Sequence, residues 1–459
     1  MNLFGGPAGP LVVLGGGAVL LLLLDLVWEG HPTLQRSVAL VVLALAAWGA
    51  ITYAAGSSAF SAALLGDLLG RATDLLAIAG ATAAILLADP EALGGRKRGA
   101  AYLALVLWSA AGMVLAGGAG NLVVLFVGIE VLSLGLYVLT AFGRQDGRGA
   151  EAGFKYFVLG GLGSALLLYG SALTYAATGS LDWHGIAAAA TGPLASVGLV
   201  LIIAGLGFKL ALAPFQLWTP DVYDGAPTSV AAFMAVGTKA AAFAALGRVL
   251  VSGFGVGLHW VAVVAVLGVL SMFVGYLGAI GQTGARRLLA FSGIANAGTL
   301  VLVLLAGRNW QPLGFLYLAA YAAASLGFFA TVAAVESEGT GDRMAGFISI
   351  ARQWPWLGGA LIIALLSLAG VPPTGGFMAK LLLLRGLFGS GHPWIAIGIV
   401  VASIVGLYPY FRWLMASLDD SGEGGSALRV PRIGWGIVAG CTAVATLVIG
   451  ILPGIILHG

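Results

Sequence analysis

The sequence predicts an all-α polytopic membrane protein with about fourteen transmembrane helices, two of them broken. Three observations carry this reading. Only 8% of the 459 residues are charged and 60% are hydrophobic, whereas a soluble domain carries about a quarter charged residues. So few charges cannot cover a water-facing surface, and lipid must cover most of it. Apolar runs of about 20 residues, the length that crosses a bilayer, recur along the whole chain. Two of those runs are interrupted by proline and glycine.

Taken in order, the expected spans centre on 11–28, 37–55, 73–88, 99–116, 121–142, 153–177, 194–217, 227–251, 258–280, 286–306, 311–334, 355–386, 393–415 and 433–455. No positive charge precedes the first run, Leu11 to Trp28, which argues against a cleaved signal peptide. The chain reads as one membrane domain, 1–459. Within it, 1–95 holds spans one to three, 96–251 spans four to eight, 258–415 spans nine to thirteen, and 416–459 span fourteen.

Loops after odd-numbered spans hold Arg36, Arg96, Lys97, Arg98, Arg144, Arg148, Arg286, Arg287, Arg343, Arg352, Arg412, Arg429 and Arg432. Even-numbered loops hold Arg71 and Arg308, with Arg248 and Arg385 at span ends. The positive-inside bias places the odd loops in the cytoplasm and both termini on the other side of the membrane. No basic patch suits nucleic acid.

Span seven contains Lys209-Leu210-Ala211-Leu212-Ala213-Pro214, and span twelve contains Gly370-Val371-Pro372-Pro373-Thr374-Gly375-Gly376. Proline removes a backbone donor and clashes with the preceding turn, so both helices should break. Broken helices are tolerated at membrane depth only inside protein or beside a water-lined cavity. Paired interruptions are also the usual pointer to a repeat, and these lie five spans apart, which fits repeats of five spans each.

The charges are placed unusually. Of five lysines, Lys97 lies in a loop, while Lys155, Lys209, Lys239 and Lys380 lie inside apolar spans. A lysine at a helix centre costs roughly 2.5–3.5 kcal/mol on insertion scales, so chance placement explains four of them poorly. Snorkelling accounts for a lysine near a span end, such as Lys155. It does not suit Lys239, mid-span, or Lys209 and Lys380, beside the breaks. Glu130 is the one acid clearly in mid-span; Asp25 and Asp74 read as interfacial. A buried Glu130–lysine pair would bring little stability by itself. Burial disfavours the charged form of an amine, and lysine, unlike arginine, can lose its proton in a protein. Four span-interior lysines therefore point to a proton relay with water between stations.

Gln216, Ser292, Asn296 and Thr374 extend that line. Gln216 follows Lys209 by seven residues and shares its helix face if the break is mild. Each of the four is placed either to hold a water or to satisfy backbone groups freed nearby. The single Cys441 reads as a packing thiol, and the five histidines lie in loops or at span ends. Nothing in the sequence suggests that this chain itself binds a nucleotide, haem or metal.

The stretch Gly205 to Pro227, GLGFKLALAPFQLWTPDVYDGAP, resembles the signature of the N subunit of bacterial respiratory complex I, an antiporter-like subunit of NADH–quinone oxidoreductase. The resemblance continues in Glu151 to Tyr169, Arg287 to Gly298 and Leu365 to Lys380, covering roughly residues 95 to 415. It implies a fourteen-helix bundle with two inverted five-helix repeats. It also implies that Glu130, Lys209, Lys239 and Lys380 match the family's proton-channel residues and that Lys155 matches a further family lysine. Quinone reduction would occur elsewhere, with NADH, FMN, iron–sulfur clusters and quinone on partner subunits of a bacterial inner-membrane assembly. Gln216 and Asn296 stand where the family usually has histidine. Both keep hydrogen bonding and lose a group that titrates near neutrality. Other readings are a subunit of a membrane hydrogenase or of a multi-subunit sodium/proton antiporter, and a stand-alone transporter of a small solute. A structural scaffold leaves the four lysines unexplained.

Overall fold

The computed structural model describes residues 6–28, 31–89, 98–142, 147–255, 260–339, 341–419 and 432–457. Arg96, Lys97, Arg144 and Arg429, which carry part of the expected charge asymmetry, lie outside them, as do His259 and His458. The long helices are α1 (Ala8–Val27), α2 (Pro32–Thr52), α3 (Leu68–Leu87), α4 (Gly99–Gly117), α5 (Leu122–Thr140), α6 (Arg148–Thr178), α7 (Gly192–Leu210) and α8 (Thr228–Phe254). They continue with α9 (Trp260–Ile280), α10 (Ala285–Leu305), α11 (Trp310–Ser337), α12 (Pro355–Ala369), α13 (Gly375–Gly389), α14 (Pro393–Leu418) and α15 (Ile433–Ile451). Among the described residues, 13 helices are long and apolar enough to cross a membrane, and 14 if the pair Met344–Gln353 and Pro355–Ala369, bent by 119°, counts as one span. The protein is a multi-pass membrane protein whose candidate spans are all helices.

Backbone contacts divide the chain into two compact units. The first is Met1–Trp218 with Gly225–Val263, the second Thr219–Asp224 with Val264–Gly459. In the first unit α4 and α5 approach closely because glycine faces the partner backbone on each. A Cβ on Gly112 would collide with the Leu132 backbone, and one on Gly128 with the Ala116 backbone. Small residues let helices meet in lipid, where no hydrophobic force drives them together. Gly128 is two residues from Glu130, so this contact also sets where that carboxylate sits. Gly128→Leu should force the backbones apart at a cost of about 3 kcal/mol or more. The expected result is a sharp loss of folded chain in mild-detergent extracts, read by size exclusion; wild-type yield would refute the close approach.

Helix ends follow local chemistry. Asp67 caps α3 by accepting from Gly70 N at 2.9 Å, and Asn121 caps α5 by accepting from Val124 N at 2.9 Å. α8 is buried from Thr228 to Leu250 and is irregular. Widened turns of the π type at Met234–Thr238 and Arg248–Phe254 flank a regular segment that begins at Lys239. Such turns often mark functional positions in a helix.

Both breaks occur where proline and glycine predict them, and they share one geometry. α7 stops at Leu210, and Ala211 takes a left-handed conformation (φ 61°). Leu212 N then reaches back to Gly207 O at 2.8 Å. α12 stops at Ala369, Gly370 takes φ 85°, and Val371 N reaches back to Leu366 O at 2.9 Å. Each is a left-handed helix end whose backbone satisfies two freed carbonyls, Gly207 and Phe208 in one and Leu366 and Ser367 in the other, and leaves the last ones open.

Several expectations need correction. Span seven does not run to 217, because the break at Leu210 is abrupt. For the same reason Gln216 does not share a helix face with Lys209. A two-stranded hairpin, Ser57–Ala59 with Leu64–Gly66, precedes α3; three-residue strands leave no periodicity to read. Asp74 is not interfacial: it is 2% exposed, within hydrogen-bond reach of the Tyr53 hydroxyl at 3.3 Å. Cys441 is exposed on α15 and is not a packing thiol.

Candidate functional site

In the first unit the site is built on α5, α6, α7 and α8. Glu130, Ser133 and Tyr137 lie three and seven residues apart on α5, a spacing that brings them to one helix face. Lys209, one residue before the end of α7, is 3% exposed. Its ammonium donates to Ser133 Oγ at 2.7 Å and to Tyr137 Oη at 3.2 Å. The same nitrogen lies 5.4 Å from the Tyr137 ring centre and 5.8 Å from that of Tyr156, within cation–π range. Glu130, half-buried, accepts a hydrogen bond from Ser164 of α6. Glu130 and Lys209 thus sit at the same α5 face, each on its own serine, and do not form a direct ion pair.

Trp218 holds this cage together. Its indole donates to Phe208 O at 3.0 Å, satisfying a carbonyl of the terminating helix, and stacks on Tyr156 at 4.6 Å between ring centres. Lys239, 3% exposed on α8, donates to Leu210 O at 3.3 Å. Leu210 is the last residue of α7, so this ammonium sits on a carbonyl that the break left open. Helix C-termini carry partial negative charge and attract cations.

In the second unit Lys380 of α13, 8% exposed, repeats that arrangement. Its ammonium donates to Leu368 O at 3.3 Å and Ala369 O at 3.4 Å, the last carbonyls of α12. A lysine thus answers each break, from the next long helix in one unit and from across the break itself in the other. Lys380 borders a cavity of about 10 Å³, room for roughly one water, whose wall includes Asn296, Tyr317 and Ser367. Beyond it the polar groups are joined. Tyr317 Oη donates to Asn296 Oδ1 at 2.8 Å, Asn296 Nδ2 donates to Ser292 O at 2.9 Å, and Ser292 Oγ shares a hydrogen bond with Tyr410 Oη at 2.7 Å.

The remaining candidates fall elsewhere. Lys155 is at the surface of α6, its side chain 41% exposed, in an ion pair with Glu151 at 2.8 Å. Thr374 is buried and donates to Val371 O at 2.6 Å, so it closes the second break. Gln216 is half-buried, and its Oε1 is buried with no hydrogen-bond partner among the described residues. Sequence reasoning missed Ser133, Tyr137 and Ser164. The spacing of the first two from Glu130 was visible; Ser164 has no local signal, because only the packing of α5 on α6 brings it to the carboxylate. Among the described residues no group of three or more His, Cys, Asp or Glu side chains is placed to hold a metal.

Residues 119–406 match the protein family described as NADH:quinone oxidoreductase/Mrp antiporter, TM. NADH-quinone oxidoreductase subunit N 1 of Symbiobacterium thermophilum is 39% identical over 97% of this chain and 96% of its own. A chain in the structure of respiratory complex I from Thermus thermophilus with bound aureothin superposes with a TM-score of 0.85 at 36% identity, covering 98% of this chain and 99% of that one. A chain of the Mrp complex from a Dietzia species shares the fold, with a TM-score of 0.88 at 22% identity over 100% of this chain and 96% of that one. The chain belongs to the NADH:quinone oxidoreductase/Mrp antiporter membrane family, among the N subunits of NADH-quinone oxidoreductase.

Proposed function

We propose that this chain is the proton-translocating N subunit of a bacterial NADH-quinone oxidoreductase, driven by quinone reduction on other subunits. The observation that carries the mechanism is the pair of lysine-answered breaks. Lys239 and Lys380 each hold a proton against open carbonyls of a terminated helix, and each lies beside further polar stations of its own unit. In the first unit Glu130 and Lys209 exchange influence across Ser133, Tyr137 and Ser164. In the second, a single water links Lys380 to Asn296, with Ser292 and Tyr410 beyond. Glu130, Lys209, Lys239 and Lys380 are the proton-carrying groups. Lys155 acts at most as a surface donor paired with Glu151. Gln216 and Asn296 bind water where a titrating ring would otherwise stand, Ser292 orients Asn296, and Thr374 keeps the second break in shape.

The shared break geometry supports two five-helix repeats, 96–251 and 258–415, related by inversion, with 1–95 and 416–459 flanking them. NADH, FMN, the iron–sulfur clusters and quinone belong to partner subunits. The subunit lies in the plasma membrane with both termini on the extracytoplasmic side. The test is to purify the native complex through a tag on this chain in mild detergent. A co-purifying hydrophilic arm with flavin, iron–sulfur absorbance and NADH:quinone activity is expected. Recovery with antiporter-type membrane subunits and no redox arm would overturn the assignment in favour of an Mrp-type assembly.

A further inference from the structure

Four arginines follow even-numbered spans or sit at their ends, and the fold uses them unequally. Arg71 donates to Tyr53 O at 2.5 Å and lies 4.9 Å from the Tyr53 ring centre. Arg248, 2% exposed, grips both carboxylate oxygens of Asp67 at 2.6 and 2.8 Å and donates to Gly117 O at 2.8 Å. Arg308 and Arg385 have no such partner among the described residues. Arg308 stands in the short turn Gly307–Asn309 between α10 and α11, and Arg385 stands on α13. Both line one open cavity of about 470 Å³ in the second unit.

The rest of the wall is divided by chemistry. Asn309 and Ser390 supply polar groups, Leu382 and Leu457 supply apolar surface, and among the described residues no carboxylate lines the cavity. Two guanidinium groups facing one space without an anion repel each other, and a single anion between them removes that repulsion. The planar guanidinium fork matches phosphate oxygens two at a time. The volume lies in the range of small-ligand sites, about 300–1,000 Å³. Leu382 lies midway along α13 and Leu457 near the chain's C-terminal end, so the apolar part of the wall comes from two separate segments.

We propose that this cavity binds the phosphate of a phospholipid headgroup between Arg308 and Arg385, with an acyl chain along Leu382 and Leu457. The proposal stands apart from the proton-carrying role: neither arginine belongs to the lysine line, and the site would exist in any assembly containing this chain.

The test uses the native complex, wild type and the double variant Arg308→Gln/Arg385→Gln, washed in detergent. Lipid phosphorus and lipid mass spectrometry should show one phospholipid per chain lost in the variant. Adding phosphatidylglycerol in micelles should raise the unfolding temperature of the wild-type complex and leave the variant unchanged, while inorganic phosphate at equal concentration does neither. Equal lipid retention in both complexes overturns the proposal. Protection by inorganic phosphate as large as that by phosphatidylglycerol also overturns it, since the site would then take a free anion. Loss of a neighbouring subunit from the variant with lipid content unchanged assigns the arginines to a partner protein and overturns it too. Arg308→Gln and Arg385→Gln singly should each lose part of the retained lipid, which keeps the test open if the double variant assembles poorly.

Discussion

Replacing Lys239 by alanine should leave the complex assembled and nearly abolish the part of redox-linked proton uptake that passes through this chain. Two magnitudes oppose each other at this site. A lysine at a helix centre costs roughly 2.5–3.5 kcal/mol to insert, so its removal relieves the fold. The alanine variant leaves a void and frees the Leu210 carbonyl, which costs a comparable few kcal/mol. Stability should therefore change little. Transport should not be spared. A hydrogen bond to a charged group is worth about 1.5–3 kcal/mol, and losing a station of that strength slows proton transfer through it by roughly 10- to 100-fold. The measurement is proton uptake per NADH oxidised in reconstituted vesicles, with subunit content checked on a native gel. A wild-type ratio in a fully assembled complex would remove Lys239 from the path.

Lys209→Arg should produce an equally large loss for a different reason. Arginine keeps the positive charge beside Ser133 and Tyr137, and it keeps the attraction of the aromatic cage. It cannot release its proton in a protein. If Lys209 only balances the charge of Glu130, the variant pumps as wild type does. If Lys209 carries protons, pumping falls by about tenfold or more while NADH oxidation by the hydrophilic arm persists in uncoupled vesicles. Lys209→Gln separates the larger shape of arginine from its fixed charge. Loss in Arg with normal pumping in Gln would indicate steric damage and sink the titration argument. Loss in both supports it.

The two variants also test the two units' common device. Lys239 and Lys380 rest on open helix-end carbonyls, whereas Lys209 rests on hydroxyls and rings. A backbone carbonyl accepts a hydrogen bond from an ammonium but is too weak a base to take its proton. In the proposed path the proton leaves by water or by a hydroxyl, a role for which the one-water cavity beside Lys380 and Asn296 is suited. An amide cannot store the proton; in the proposed path it would hold the water that passes it.

The legible part of this protein followed from cost. Lipid makes apolar runs compulsory and ionised groups expensive, so span number, both breaks and the four anomalous lysines could be read from residue types in order. Asp74 shows where that reading ends. Its place near the start of a run suggested a headgroup position, yet it is buried in the protein beside the Tyr53 hydroxyl, a contact from α2's end that residue order alone does not show. Lys155 shows where it succeeds: its place near a span end, after Glu151, set it apart from its fellow lysines, and packing leaves it at the surface paired with Glu151.

By itself, then, the sequence determined a lipid-covered helical chain, the positions at which two helices must stop, and the scarce residues able to carry a proton. Tertiary structure decided which of those residues meet. Hydrogen bonds act over about 3 Å, and groups as distant in the chain as Ser133 and Lys209, Lys239 and Leu210, or Tyr317 and Asn296 come within that distance only when helices pack. Residue order sets the cost of each buried charge; the packing of helices around the two breaks supplies the oxygen atoms that make the cost bearable.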